Sequence, residues 1–196
     1  LQAVQSEPDF YISLVSQFNN TSALISNYEA SGYGGMYQNI NIKNSSEQMM
    51  FWDTMTYLPD DILCKVDRAA MAISLETRAP FLDHRVVEAA WKLPLSLKMN
   101  QGMGKIALRK ILESYIPNEI IDRPKSGFGI PIGEWIRGPL YDWADQLLHS
   151  DSINNEGYLN YPAIKNLWDE HQSKQFDHTH KIWNILMFQL WLKSQD

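Results

Sequence analysis

Apolar side chains first recur at helical spacing over residues 8–18, where Phe10, Tyr11, Leu14, Val15 and Phe18 form a stripe entered at a Pro-Asp pair. The pattern then dissolves. Residues 19–46 are rich in Asn, Ser, Gly and Tyr, with Ser31-Gly32-Tyr33-Gly34-Gly35 among them. They are expected to form a mobile connecting segment with a short helix near 22–28. Helical spacing returns with Met49, Met50, Trp52 and Met55. Ser45 and Gln48 have capping-box spacing at its start, and Pro59 forces a break or a new start.

The helix predicted over 60–73 has separate faces. Ile62, Val66, Ala69 and Ile73 fall at i, i+4, i+7 and i+11, while Asp61, Lys65 and Arg68 fall roughly opposite with Cys64 beside them. Asp61 followed by Lys65 is the favourable order for a helix ion pair, worth ~0.3–0.5 kcal/mol when exposed. Asp60 and Asp61 also complement the helix dipole. A capped, solvated face accounts for these charges; a functional role needs that face to look into a cleft.

Pro80 interrupts 75–82, and Asp83 is placed to cap a helix over 84–91, with Leu82 and Val87 at staple positions around it. Glu76, Arg78 and Asp83 flank an apolar turn and are expected to form a buried or half-buried structural network. Gly104 opens a helix carrying Leu108, Ile111, Leu112 and Tyr115, closed by Pro117; with no strand before it, Gly102/Gly104 is no nucleotide loop. After a turn at 118–122 come the 123–131 loop, Glu134-Trp135-Ile136, a Gly138-Pro139 break and a helix to about 148. Pro162 starts a helix with Ile164, Leu167 and Trp168. Ile182, Trp183, Leu186, Met187, Leu190 and Trp191 mark a buried closing helix. Strand-like alternation is nearly absent. The chain reads as mainly α, a single helical domain over 1–196 with no sheet of more than two short strands.

Composition narrows the classes. A net charge of −6 over 196 residues argues against a nucleic-acid partner and gives no attraction to anionic membranes. No run of about 18 apolar residues spans a membrane, and no signal-peptide pattern opens the chain. The single Cys64 excludes an internal disulfide and fits a reducing compartment, so a cytoplasmic location is expected. His171, His178 and His180 lack Cys or acidic partners at ligand spacing; they read as solvated histidines before a helix, and no metal ligands are assigned. Leu1-Gln2-Ala3 resembles the interior of a polypeptide, so a fragment of something larger is expected.

The loop Arg123-Pro124-Lys125-Ser126-Gly127-Phe128-Gly129-Ile130-Pro131 is the centre of the candidate chemistry. Prolines fix the backbone at both ends and glycines loosen it between them. Arg123 and Lys125 give it two cations, and with backbone N–H groups at Gly127 and Gly129 it can face a phosphate. A structural turn between helices explains the same residues.

A second stretch decides between these readings. Tyr57-Leu58-Pro59-Asp60-Asp61-Ile62-Leu63-Cys64-Lys65-Val66-Asp67-Arg68-Ala69-Ala70-Met71 resembles glutamine-hydrolysing asparagine synthetases. The similarity continues through Leu75-Glu76-Thr77-Arg78-Ala79-Pro80-Phe81-Leu82-Asp83-His84-Arg85. It returns at Gly104-Lys105, Leu108-Arg109, the 123–129 loop and Trp183-Asn184-Ile185-Leu186-Met187-Phe188.

The resemblance implies the helical C-terminal part of an ATP-pyrophosphatase-like (adenine nucleotide α-hydrolase-like) synthetase domain, whose parallel sheet and Ser-Gly-Gly pyrophosphate loop lie upstream. A glutaminase domain with an N-terminal catalytic Cys would precede it; Cys64 is internal and is not that nucleophile. The implied reaction uses ATP and Mg²⁺ to adenylate a carboxylate, aspartate or another, which ammonia from glutamine then converts to an amide. Lys125 matches the family's catalytic lysine. Asp61, Lys65, Asp67 and Arg68 lie in its other cleft-facing segment and, with Arg123, Gly127 and Gly129, are the implied ATP- and substrate-binding residues. Some members carry an acidic residue one position later, where this chain has Ile62, so the choice among its carboxylates stays open. Small-molecule substrates and the upstream regions are the implied partners, and a homodimer is compatible with the resemblance. The chain alone is expected to be inactive. Two other readings share the residues: the same chemistry on a sugar carboxylate, and a helical scaffold without catalysis.

Overall fold

Among the described residues, regular structure is helical apart from one hairpin, as the missing strand alternation predicts. The computed structural model describes residues 6–18, 20–28, 41–124, 127 and 129–195. Where the sequence reads as one helical domain, contacts group its residues into two units, Leu1–Gln38 with Phe128–Asp196, and Asn39–Gly127.

The first unit has a conventional core. Helices Ile132–Arg137, Tyr141–Leu147, Ser150–Glu156, Tyr161–Gln172 and Thr179–Lys193 bury Ile136, Ala144, Leu147, Ile153, Ile164, Trp168, Ile182 and Leu186 against one another. Each Ile and Leu among them contributes about 1.5–3 kcal/mol by leaving water. Asn160 caps the Tyr161–Gln172 helix by accepting from Ala163 N, and Pro162 sits in its first turn, where no N–H is needed. The closing helix Thr179–Lys193 buries Ile182, Ile185, Leu186 and Gln189; Leu190 and Trp191, expected to be buried, are exposed. One helix carries no apolar stripe at all: Ser150–Glu156 is held by the fully buried Ile153.

Part of the expected connecting segment belongs to this core. Leu24 is buried, its carbonyl accepts from Asn160 N at 2.8 Å, and Ser26 N donates to Tyr158 O at 2.9 Å. The helix expected near 22–28 is a three-residue 3₁₀ turn, Thr21–Ala23, because the chain leaves it to bridge Ile25 with Leu159. Residues 19 and 29–40 lie outside the described residues. The first helix, Glu7–Val15, is capped by Ser6 and turns Tyr11 inward, while Phe10, Leu14 and Val15 face solvent.

The second unit is built differently. Its helix Ser45–Met55 is capped by Asn44, whose side chain accepts from Ser46 N and Glu47 N at 3.0 and 3.2 Å. Gln48 donates to Ile42 O rather than closing a box with Ser45. The helix ends at Thr56, and a new helical path starts with Pro59 in its first turn, as expected. Lacking an N–H, Pro59 loosens the ladder into a π-helical stretch, Leu58–Leu63, where Cys64 N reaches Pro59 O, and an α-helix follows as Cys64–Met71. Gln101 and Gly102, with φ of 49° and 78°, form the turn of the hairpin Met99–Asn100/Met103–Gly104, since a two-residue turn of this hand needs positive φ at both positions.

Lys98 is the polar hub of this unit. Its ammonium donates to Glu47 Oε1 at 3.0 Å and to Trp91 O at 3.3 Å, and lies 5.0 Å from the centre of the Trp91 ring. Among the described residues of the unit only Trp52 is buried. Ile73, Phe81 and Tyr115 are 75%, 65% and 79% exposed. The apolar stripe predicted over 60–73 is likewise uncovered: Val66 is exposed, and Ile73 falls in the turn after the helix.

Candidate functional site

The charged residues singled out between 57 and 71 sit on the π-to-α segment. Lys65 Nζ lies 3.7 Å from Asp61 Oδ1 with both side chains more than half exposed, so the predicted pair forms on a solvated face. Asp67 and Arg68 are also exposed, and among the described residues their charged groups make no ion pair or side-chain hydrogen bond. The π turn adds a residue to the local repeat, so side chains before and after it do not share the straight α-helical face that simple spacing assumes.

The expected Glu76, Arg78 and Asp83 network does not form as a buried unit. Arg78 pairs with Glu76 at 2.6 Å while both remain exposed. Asp83 instead accepts from Arg85 Nε and Nη2, at 2.9 and 2.6 Å, and from Arg85 N, capping His84–Lys92 as predicted. The Arg85 guanidinium holds the Asp83 carboxyl below its usual range. Sequence neighbours satisfy these groups locally, which removes any need for burial.

The cationic loop follows in chain order. Arg123 and Pro124 are exposed; Lys125, Ser126 and Phe128 lie outside the described residues. Gly127 and Gly129 have no positive φ, and a Cβ on either meets nothing within 4 Å, so neither is required by its own backbone or by a close neighbour.

The loop is tied on each side within its own unit. Upstream, Arg109 on helix Ile106–Leu112 donates from Nη1 to Asp122 Oδ1 and from Nε to Gly104 O at 3.0 Å. Asp122 closes the short helix Asn118–Ile121, where a turn was expected. Downstream, helix Ile132–Arg137 is clamped by His171, which is fully buried rather than solvated. Arg137 Nε donates to His171 O at 2.8 Å, and Arg137 Nη2 and His178 N approach His171 Nδ1 at 3.0 and 3.2 Å. Both of those partners are donors, so Nδ1 is the unprotonated nitrogen, and Nε2–H donates to Gly133 O at 3.3 Å.

Burial, then the Arg137 charge, lowers the pKa of His171. His178 pairs with Glu170 at 2.6 Å, which with Asn166 holds the Glu170 carboxyl below its usual range. Gly133 must be glycine at this contact: an added Cβ would lie 2.3 Å from Thr179 Oγ1, which is held on Asp177.

Sequence spacing could not find the clamp or the tether. Arg137 and His171 are 34 residues apart, Arg109 and Asp122 thirteen. The one local signal was Gly133 just after the loop. No group of three His, Cys, Asp or Glu side chains poised for a metal occurs among the described residues. Mg²⁺, however, is usually held by one or two carboxylates together with substrate phosphates rather than by an all-protein cage. The exposed carboxylates of Asp61 and Asp67 fit that donor chemistry.

The chain is mainly helical and is matched by a domain family of the ATP-pyrophosphatase-like class. It belongs to the asparagine synthase family, which it matches over residues 2–193. A Mycobacterium bovis protein named "putative asparagine synthetase (glutamine-hydrolyzing)" is 39% identical over 145 residues, covering 74% of this chain and 22% of that protein. Asparagine synthetase (glutamine-hydrolyzing) 1 of Bacillus subtilis is 34% identical over 144 residues, with the same two coverages of 74% and 22%. The amidase chry2 of Gibberella zeae is 29% identical over 135 residues, 65% of this chain and 20% of that protein. The matched region is thus about a fifth of the length of these relatives. No solved structure matches the chain significantly. No helix among the described residues is long and apolar enough to cross a membrane.

Proposed function

We propose that residues 1–196 are the helical C-terminal part of the synthetase domain of an ATP-dependent, glutamine-hydrolysing amidotransferase that makes asparagine from aspartate. The observation that carries the reading is the family match over nearly the whole chain, in which the Tyr57–Arg85 motif and the Lys125 loop occur together. The exposed apolar surface of the second unit supports it, since a larger protein supplies chain to cover such a surface.

In the proposed reaction an oxygen of the substrate carboxylate attacks the α-phosphorus of ATP. The bond to the bridging oxygen breaks and pyrophosphate leaves with its electrons. Ammonia then attacks the acyl carbon of the adenylate and expels AMP. Negative charge grows on phosphate oxygens in the first step, and the Lys125 ammonium is the cation assigned to it. Arg123, Lys65 and Arg68 add positive charge toward the triphosphate, and Asp61 or Asp67 would supply a carboxylate to Mg²⁺, which would neutralise phosphate charge when bound. Gly127 and Gly129 are the proposed backbone N–H donors to a phosphate oxygen. The glutaminase and pyrophosphate-loop regions of the full-length polypeptide are the proposed partners, in a cytoplasmic enzyme.

The test is Lys125→Ala in the full-length polypeptide. Pyrophosphate release should fall by ~10²–10³ while glutamine hydrolysis stays near the wild-type rate. Lys125→Arg should recover little, because a planar fork replaces a compact charge. Equal losses in both activities, or none in either, would refute the assignment. A second reading keeps the chemistry and changes the acceptor, for example to a sugar carboxylate; one relative is named an amidase rather than an asparagine synthetase. Pyrophosphate release with a carboxylate panel, aspartate included, separates the two.

A further inference from the structure

We propose that the cleft between helices Tyr141–Leu147 and Tyr161–Gln172 binds a small organic cation, an amine or amidine carried on a flat apolar body. Both helices belong to the first unit. Tyr141, Asp145 and Leu148 fall at i, i+4 and i+7, as do Tyr161, Lys165 and Trp168, so each helix turns one stripe to the cleft. The floor is apolar: Leu148, Ile164 and Trp168 line it and are buried. Rings form the walls. Tyr141 packs on Trp168 with centroids 5.5 Å apart, and Tyr161 lines the same cleft about two turns back along its helix. The volume, about 200 Å³, is below the ~300–1,000 Å³ of pockets for drug-sized ligands, so it suits a single ring.

Charge decides what that ring must carry. Lys165 is already engaged, its Nζ donating to both Asp169 oxygens at 2.5 and 2.6 Å. This bond, with the Asp169 and Asp145 charges beside it, holds the Lys165 pKa above its usual value. Asp145 also lines the cleft, and among the described residues its carboxylate makes no ion pair or hydrogen bond. Two carboxylates thus stand against one ammonium, an excess of one negative charge with His149 neutral. The Tyr141 and Tyr161 rings, one exposed and one half-buried, add the negative faces that attract a cation. An anion would meet Asp145, while Lys165 is engaged by Asp169.

The full-length polypeptide, titrated calorimetrically, supplies the test, with benzylamine as the probe, benzyl alcohol as its neutral counterpart and benzoate as its anionic one. Benzylamine should bind saturably and more tightly than either. Asp145→Asn should weaken it about 5- to 10-fold, and Asp145→Glu should keep most of the affinity. Tyr141→Leu, which removes one ring, should cost about 2- to 5-fold. Lys165→Met keeps the apolar stem and frees Asp169, so it should tighten benzylamine about 2- to 5-fold. Added salt should weaken benzylamine and leave benzyl alcohol unchanged. Tyr141, Asp145 and Lys165 are exposed, so thermal midpoints should hold and lost binding reports the site rather than the fold. No saturable binding of benzylamine, equal binding of benzyl alcohol, wild-type affinity in Asp145→Asn, or weaker binding in Lys165→Met each overturn the inference. So does a preference for N-acetylarginine amide over benzylamine, which would assign the cleft to a side chain of another protein.

Discussion

At the scale of single residues, His171 shows how a titratable group becomes structural. Its ring joins Gly133 O, the Arg137 guanidinium and the His178 N–H; the last two require Nδ1 to be bare, while Nε2–H donates to Gly133 O. Asp177 Oδ1, 3.7 Å from Nδ1, is the nearby opposing charge, yet burial and Arg137 outweigh it and the pKa is lowered from 6.5. The unfolded chain therefore binds the proton more readily than the folded one. Stability is fully present above about pH 6.5 and is lost as pH falls from there toward the lower folded value. Thermal midpoints measured from pH 8 to 5 should drop for the wild type below about pH 6.5, and a His171→Gln variant should lose that step. His171→Ala should cost about 3 kcal/mol at pH 8, because it leaves buried donors and a carbonyl without partners. Depression of the Glu170 and Asp177 carboxyls, by His178 and Thr179 respectively, adds a further loss at lower pH, below about 4.5.

At the scale of elements, legibility tracked how local the cause is. The Tyr161–Gln172 helix was readable because Pro162 and its apolar spacing lie in one short stretch, and the Asp83 cap because it bonds two residues away. Ser150–Glu156 was not, since Ile153 alone carries it and its partners are remote in sequence. The Asn44 cap was displaced by one residue because Ser45 is also a good cap; the extended φ and ψ of Asn44 decide it. Of the candidate site, the Asp61–Lys65 pair followed from helical spacing, whereas the π turn at Pro59 and the Arg109–Asp122 tether depend on backbone placement that spacing does not encode. The closing helix supplies a prediction of its own. Gln189 is fully buried, and neither end of its amide has a partner among the described residues. Replacing it with Met removes that desolvation cost of about 1–3 kcal/mol. Gln189→Met should raise the midpoint of the first unit by a few degrees, read by tryptophan fluorescence during heating.

For the molecule as a whole, the two units differ in how much water they exclude. Among the described residues, one buries a cluster of eleven, including Ile136, Ile153 and Leu186, and the other buries Trp52 and leaves Ile73, Phe81 and Tyr115 in solvent. The free-standing chain should therefore unfold in two steps, with fluorescence and circular dichroism failing to coincide, and should bind a hydrophobic dye before the first step. A single coincident transition without dye binding would contradict this. The unequal cores also set how the chain is dismantled. A protease cuts where the backbone opens most cheaply, so first nicks should fall within 39–127 and spare the cluster beyond Ile130. A fragment ending in the Thr179–Lys193 helix should outlast the rest.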